Sequence, residues 1–362
     1  MRVRKILGFA VLALALLAGA YSVWWWQAAS AVERGVLAWM DEQRAAGAVV
    51  AHDGLSVGGY PFTIRAALEA PHLATRDVEW RGARLVAEAP PWNHTRIALS
   101  LPGEQRVTVV QANQPPFTLV AHDGGHGHVG LTLTGQPVEA RLAFANLVAQ
   151  PDALPVPIAA LDLTASQPAA PPASHTDTGL SVTLEARGAT LPDGAPDSLG
   201  REVQRLLLTA RILGQPPKPE PVSLSAWSRD GGTLQLDGLN VDWGPLKLAM
   251  NGTLALDAAL QPQAALTAEV RGYQAVLDAL QGMFRPKELA MARTMLGLLA
   301  RPTGPNGEPV LTAPVTVQNR GLFLGPLKVA ALPAVGLYGR TCAPPPGAPP
   351  LPRGGSWSLT TN

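Results

Sequence analysis

The densest cluster of ligand-type side chains is HDGGHGH, where His122, Asp123, His126 and His128 fall within seven residues. Imidazole and carboxylate together are a donor set for a zinc-type ion, and a metal-bound water there would serve a hydrolase. The alternative is a hairpin tip whose histidines point into water. No Glu stands in H-E-x-x-H spacing and no cysteine lies nearby, so the spacing assigns no metal. The same loop spells G-x-G-x-x-G at Gly125, Gly127 and Gly130, the pattern that places a pyrophosphate on a helix N-terminus. Here LTLTG follows, which reads as a strand, and the dinucleotide reading fails on context. GLSVG at 54–58 matches the G-x-S-x-G nucleophile elbow with Ser56 as nucleophile. An elbow needs a strand-to-helix turn, whereas GYPFTI continues as a strand. Asp242 and Asp257 flank turns, and no acidic pair is placed by spacing for acid–base work. The expectation is a non-enzymatic protein without a cofactor.

Other elements must therefore explain the chain. Its 362 residues are 47% hydrophobic and only 15% charged, with a net charge of +1. No Lys/Arg cluster follows residue 5, which excludes a phosphate-tracking surface and hence nucleic acid as a partner. Thirty-six Gly and 35 Pro punctuate the sequence, which suits many short strands. Cys342 is the single cysteine and forms no intrachain disulfide.

Residues 1–5, MRVRK, precede an apolar run over 6–26 that ends in Trp24, Trp25 and Trp26. Twenty-one helical residues rise about 31 Å, the thickness of a bilayer's hydrocarbon core. Arg2, Arg4 and Lys5 hold the N-terminus in the cytoplasm, and the Trp triplet suits the far interface. The expected location is the bacterial inner membrane, single pass, with the bulk in the periplasm. The competing reading is a signal sequence cleaved near Ala18–Ala20.

Beyond the anchor, 27–47 reads as an amphipathic helix bearing Val32, Val36, Trp39 and Met40 on one side. Residues 48–165 are a β-rich region of short alternating runs. Residues 166–179 form a Pro/Ser-rich connector, either a boundary or an exposed loop. A second β-rich region spans 180–341, with helices at about 273–300 that pack on the apolar sheet face. The tail 342–362 reads as disordered and Pro-rich.

The most ordered pattern is GGTLQLDGLNVDWGPLKLAMNGTLALD, residues 231–257. Apolar residues alternate through it, with breaks at Asp237-Gly238, Gly244-Pro245 and Asn251-Gly252. Asp-Gly and Asn-Gly are two-residue hairpin signals, so the stretch predicts four short antiparallel strands. One face would carry Leu239, Val241, Trp243, Leu246, Leu248 and Met250, the candidate ligand-binding face. GPLK occurs at 244–247 and again at 325–328. The fold class expected is mainly β: a transmembrane helix, then a large antiparallel meander, sandwich or curved groove, with a few short helices.

DGLSVGGYPFTIRAALEAPHL, AWSRDGG, WGPLKLAMNGTLALDAALQP and GLFLGPLKVAALP, in this order after a Trp-ended span, resemble domain of unknown function 2125, an uncharacterised bacterial family. That resemblance brings no catalytic residues. The texture is also similar to AsmA-like envelope proteins, with NGTLALD as the local match, which implies a role in envelope maintenance or lipid movement. The expected function is an anchored periplasmic protein that binds lipid or another apolar ligand on one sheet face. The alternatives are a scaffold binding envelope proteins along a sheet edge, and a metal hydrolase using the His122 loop.

Overall fold

In a computed structural model the described residues form a long N-terminal helix, a continuous antiparallel sheet and a few short helices. Residues 2–332 are described, except 94, 111–114, 152–153, 195, 219–220, 280, 282–284, 302–307 and 326. The Pro-rich tail 342–362 lies outside them.

Anchor and amphipathic helix are one element, α1 (Arg2–Ala45). It is long and apolar enough to cross a membrane. Gly47 ends it with φ of 90°, the left-handed cap that glycine adopts without a Cβ penalty.

The first eleven strands build a sheet folded upon itself. One leaf runs β2 (Gly54–Gly58), β3 (Ile64–Glu69), β6 (Arg84–Ala89), β7 (Arg96–Leu101), β10 (Gly125–Leu131). The other runs β1 (Val49–Ala51), β4 (His72–Ala74), β5 (Val78–Gly82), β8 (Gln105–Val109), β9 (Phe117–Ala121). The chain passes from leaf to leaf at each of the short corners 52–53, 70–71, 83, 102–104 and 122–124. Strands that switch sheets at a bend are how a sheet turns back over its own face. β11 (Pro137–Gln150) joins the leaves, pairing with β10 through Gly125↔Phe144 and with β9 through Ala121↔Leu147. Between those pairs Asn146 takes φ of 54°.

From β11 each strand pairs antiparallel with the next in sequence, through hairpins except where helices intervene between β14 and β15 and between β17 and β18. The strands are β12 (Val156–Ser166), β13 (Thr178–Thr190), β14 (Glu202–Leu213), β15 (Leu234–Trp243), β16 (Leu246–Leu256), β17 (Pro262–Arg271), β18 (Val310–Gln318), β19 (Gly321–Leu324) and β20 (Leu327–Ala331). This part is an open sheet rather than a sandwich. The connector expected at 166–179 is the loop 167–177 of the β12–β13 hairpin with the strand ends beside it, and the sheet is continuous across it.

Register makes one face apolar without interruption. Leu142, Leu163, Leu184, Leu208, Leu239 and Met250 stand side by side from β11 to β16. Phe144, Leu161, Ala186, Leu206, Val241 and Leu248 form the next row. The opposite face carries cross-strand ion pairs, among them the diagonal Arg187–Asp162 at 2.7 Å and Arg205–Glu185 at 2.8 Å and the directly opposed Lys247–Asp242 at 3.2 Å. Such exposed pairs are worth well under about 1 kcal/mol each and mainly keep that face wet.

The 231–257 stretch departs from the four-strand expectation. Gly244-Pro245 is a hairpin turn, but Asp237-Gly238 is a bulge inside β15, and β16 runs straight through Asn251-Gly252. Arg211 on β14 holds the bulge from outside, its Nε and Nη2 donating to Asp237 at 2.7 and 2.6 Å. Gly252 has φ of 147°, and a Cβ there would collide with Ala265 O and Leu266 on β17. The glycine is set by neighbouring strands, not by a turn.

Three short helices complete the fold. α2 (Pro221–Arg229), absent from the sequence reading, lies between β14 and β15. α3 (Tyr273–Ala279) and α4 (Pro286–Leu299) cover one end of the apolar face, where Tyr273, Leu277 and Leu311 are buried with Val270, Leu289 and Leu296 against them.

Candidate functional site

The fold-over creates the site. Where the two leaves face each other, a cleft of about 510 Å³ opens onto β11, β12 and β13. Leu85, Leu99 and Leu101 come from the first leaf, and Trp80, Val107 and Leu119 from the second. Leu142, Phe144, Leu161, Leu163 and Leu184 form the floor. The size matches pockets for small or chain-like ligands, and the lining is apolar almost throughout.

The one polar side chain among the lining residues is neutralised internally. Gln105 is buried, accepts from Trp80 Nε1 at 3.2 Å and donates to Arg84 O at 3.3 Å. A buried amide with its partners supplied adds no free donor or acceptor to the wall. The cleft can therefore exclude water from an apolar guest, but it offers no group for acid–base or nucleophilic chemistry.

Two glycines explain how the floor is shaped. Gly125 and Gly127 on β10 face the interior opposite Phe144 and Leu142. A Cβ on Gly125 would strike the Phe144 ring, and one on Gly127 would strike Arg141 O. The G-x-G spacing that resembled a phosphate loop is thus a pair of missing side chains that admits larger ones. That alternation was the signal by which the sequence could have located the floor.

The histidines lie elsewhere. His126 and His128 alternate with those glycines and face outward, opposite Ala143 and Arg141. His128 Nε2 lies 3.7 Å from Glu139, and His122, at the corner, lies 3.4 Å from Glu104. Arg106 first, then His122, hold the Glu104 carboxyl below its ordinary range. Asp123 accepts a hydrogen bond from Asn146 Nδ2 at 2.8 Å, which ties the β9–β10 corner to the bend in β11. No group of three metal-ligating side chains converges among the described residues. Ser56 is exposed in mid-strand, paired with Ala67, with no helix after it.

Leu239, Val241, Trp243, Leu246, Leu248 and Met250 all share the apolar face, half-buried. None lines the cleft; they stand several strands away, on the open extension of its floor. Trp243 Nε1 is occupied by Gly200 O at 2.9 Å. Leu248 stands opposite Val270, which α3 and α4 cover.

The Gly-rich segments that stand out in the sequence are junctions. In GYPFT, Trp25 of α1 donates to Thr63 O at 3.1 Å and packs edge-on against Tyr60. Ser22 Oγ lies 2.8 Å from Tyr60 Oη, and Tyr21 donates to Pro61 O. In AWSRDGG, the Trp227 indole donates to Leu213 O at 2.8 Å and lies where a Gly232 Cβ would be. In both GPLK copies the glycine turns a hairpin at positive φ, 53° for Gly244 and 57° for Gly325.

A family model described as "Uncharacterized protein conserved in bacteria (DUF2125)" matches residues 25–333, from the docked Trp25 through the last described strand. No curated protein and no solved structure matches the chain.

Proposed function

This chain belongs to the DUF2125 family of proteins conserved in bacteria, and from that premise we propose a membrane-anchored, non-enzymatic binder of an apolar ligand, a lipid acyl chain foremost. The observation that carries this reading is the apolar cleft between the leaves, open along one side to a continuous apolar sheet face. An apolar chain laid there exchanges water contact for leucine and phenylalanine, worth about 25 cal/mol per Å² removed from solvent. The positive flank of α1 supports a periplasmic side for the sheet at the inner membrane, where handling of lipid would serve envelope maintenance. The absence of catalysis is supported by where Ser56 and the histidines lie: an exposed mid-strand position and an outward strand face.

The test is lipid extraction and mass spectrometry on full-length protein, comparing wild type with Leu163→Trp. The indole would fill the cleft while keeping the face apolar. Wild type should carry a defined lipid that the folded variant has lost. Identical lipid profiles in both would reject the cleft as the binding place.

A further inference from the structure

We propose that one end of the first leaf is a second membrane contact, lying in the headgroup layer beside the anchor. The inference rests on the proposed membrane anchor and is independent of what occupies the cleft. It begins with where α1 docks. The turn 59–63 between β2 and β3 is bonded to Tyr21, Ser22 and Trp25, all inside the apolar run that ends at Trp26. At 1.5 Å per residue, Tyr21 lies about 7 Å deeper than Trp26 along the helix. A turn held at that depth is itself at the membrane interface.

The register then places further turns along the same end of the leaf. Ile64 pairs with Ala89, after which the chain turns at 90–93 ahead of β7. Arg96 pairs with Gly130, after which it turns through 132–136 into β11. Each of these turns projects a large apolar side chain outward: Phe62 is 70% exposed, Trp92 69% and Leu133 84%. Single exposed apolar residues are ordinary, but three on successive turns beside a membrane helix form a line. Trp26 on α1, 71% exposed, flanks the first of them. Aromatic and leucine side chains at headgroup depth are how interfacial segments hold to a bilayer. The opposite end of the same strands carries the Glu104–Arg106 and His122 cluster instead. The occupant is therefore the bilayer that already holds α1.

The test uses full-length protein in lipid nanodiscs, with Cys342→Ser and one added cysteine carrying an environment-sensitive fluorophore. Phe62→Cys, Trp92→Cys and Leu133→Cys probe the line, and Glu104→Cys probes the far end. Lipids bearing a quencher at headgroup depth should blue-shift and dim the label at 62, 92 and 133 but not at 104. Quenching at 62 alone would overturn the proposal, because tethering by α1 is enough to produce it. Labels at 92 and 133 that stay wet in nanodiscs yet become shielded in native membranes would overturn it in favour of a protein partner.

Discussion

The two halves of the sheet use the same alternating pattern and reach opposite ends. In β1–β11 the chain crosses from leaf to leaf at the corners and one leaf lies over the other, burying Leu101, Val120, Ala121, Leu147 and Ala149. In β12–β20 the strands run straight, and among their described apolar-face residues only a few, such as Leu236, Ala264 and Ala268, are buried. The difference lies in where the chain leaves ordinary strand geometry. Ala70, Gly103 and Gly124, all at positive φ, sit at the corners, and Asn146, also at positive φ, sits at the bend of β11. Irregularities of the second half, among them Gly188, Asp237-Gly238 and Gly252, lie within strands that keep pairing with the same neighbours. A sheet thus becomes a pocket or a platform by the position of its irregular residues, not by its hydrophobic pattern.

The largest effect should separate the halves directly. Leu147, 2% exposed and paired with Ala121 of the second leaf, becomes an unpaired buried charge in Leu147→Asp, at a cost of about 4 kcal/mol. Met250→Asp on the open face should cost only about 1 to 2 kcal/mol, since its side chain already meets water. Chemical denaturation of the full chain measures both, and equal losses would erase the distinction between pocket and platform. Next comes the corner. Gly124 has φ of 76° and its Cβ would strike Leu101 O, whereas Gly135, at 84°, has open space around it. Gly124→Ala should therefore cost about 3 kcal/mol and Gly135→Ala about 1, both by thermal unfolding. A smaller effect tests the Asp123–Asn146 tie. Asp123→Ala should lose about 1 kcal/mol and speed amide exchange in β9 and β10 while leaving β16 and β17 unchanged.

The smallest effect belongs to the open half. Arg211 holds the Asp237 carboxyl below its ordinary range, through its hydrogen bonds first and its charge second. A depressed carboxylate stabilises the fold at pH above its unfolded value and loses that contribution as pH falls through the folded value. Asp237→Asn should cost about 0.5 kcal/mol at neutral pH. The gap from wild type should close in acid, below the usual Asp range. A gap that persists there would mean the bulge is held by packing alone.

Much of this was legible in the residues. The apolar span, the helices after Arg271, the one-faced strands and the antiparallel class follow from local periodicity. The residues of the 231–257 face do share one side of the sheet. Strand length was not legible there, because Asp-Gly and Asn-Gly carry the same local preference in a bulge as in a hairpin, and neighbouring strands decide. The cleft was hidden for a related reason. Its walls come from strands far apart in sequence, and it exists only because β11 pairs with β9 and β10 along a single edge. His122, Asp123, His126 and His128 drew attention by type, yet a period of two sends His126 and His128 outward while Gly125 and Gly127 shape the floor.

The central claim is that an apolar chain lies between the leaves, and neighbouring residues of β12 provide its sharpest test. Leu163 lines the cleft, whereas Thr164 occupies the other face of the same strand. A photo-crosslinking amino acid placed at each position in turn, in full-length protein within native membranes, should give a lipid adduct at 163 and none at 164. Equal labelling at both positions, or no lipid adduct at 163, would contradict the account.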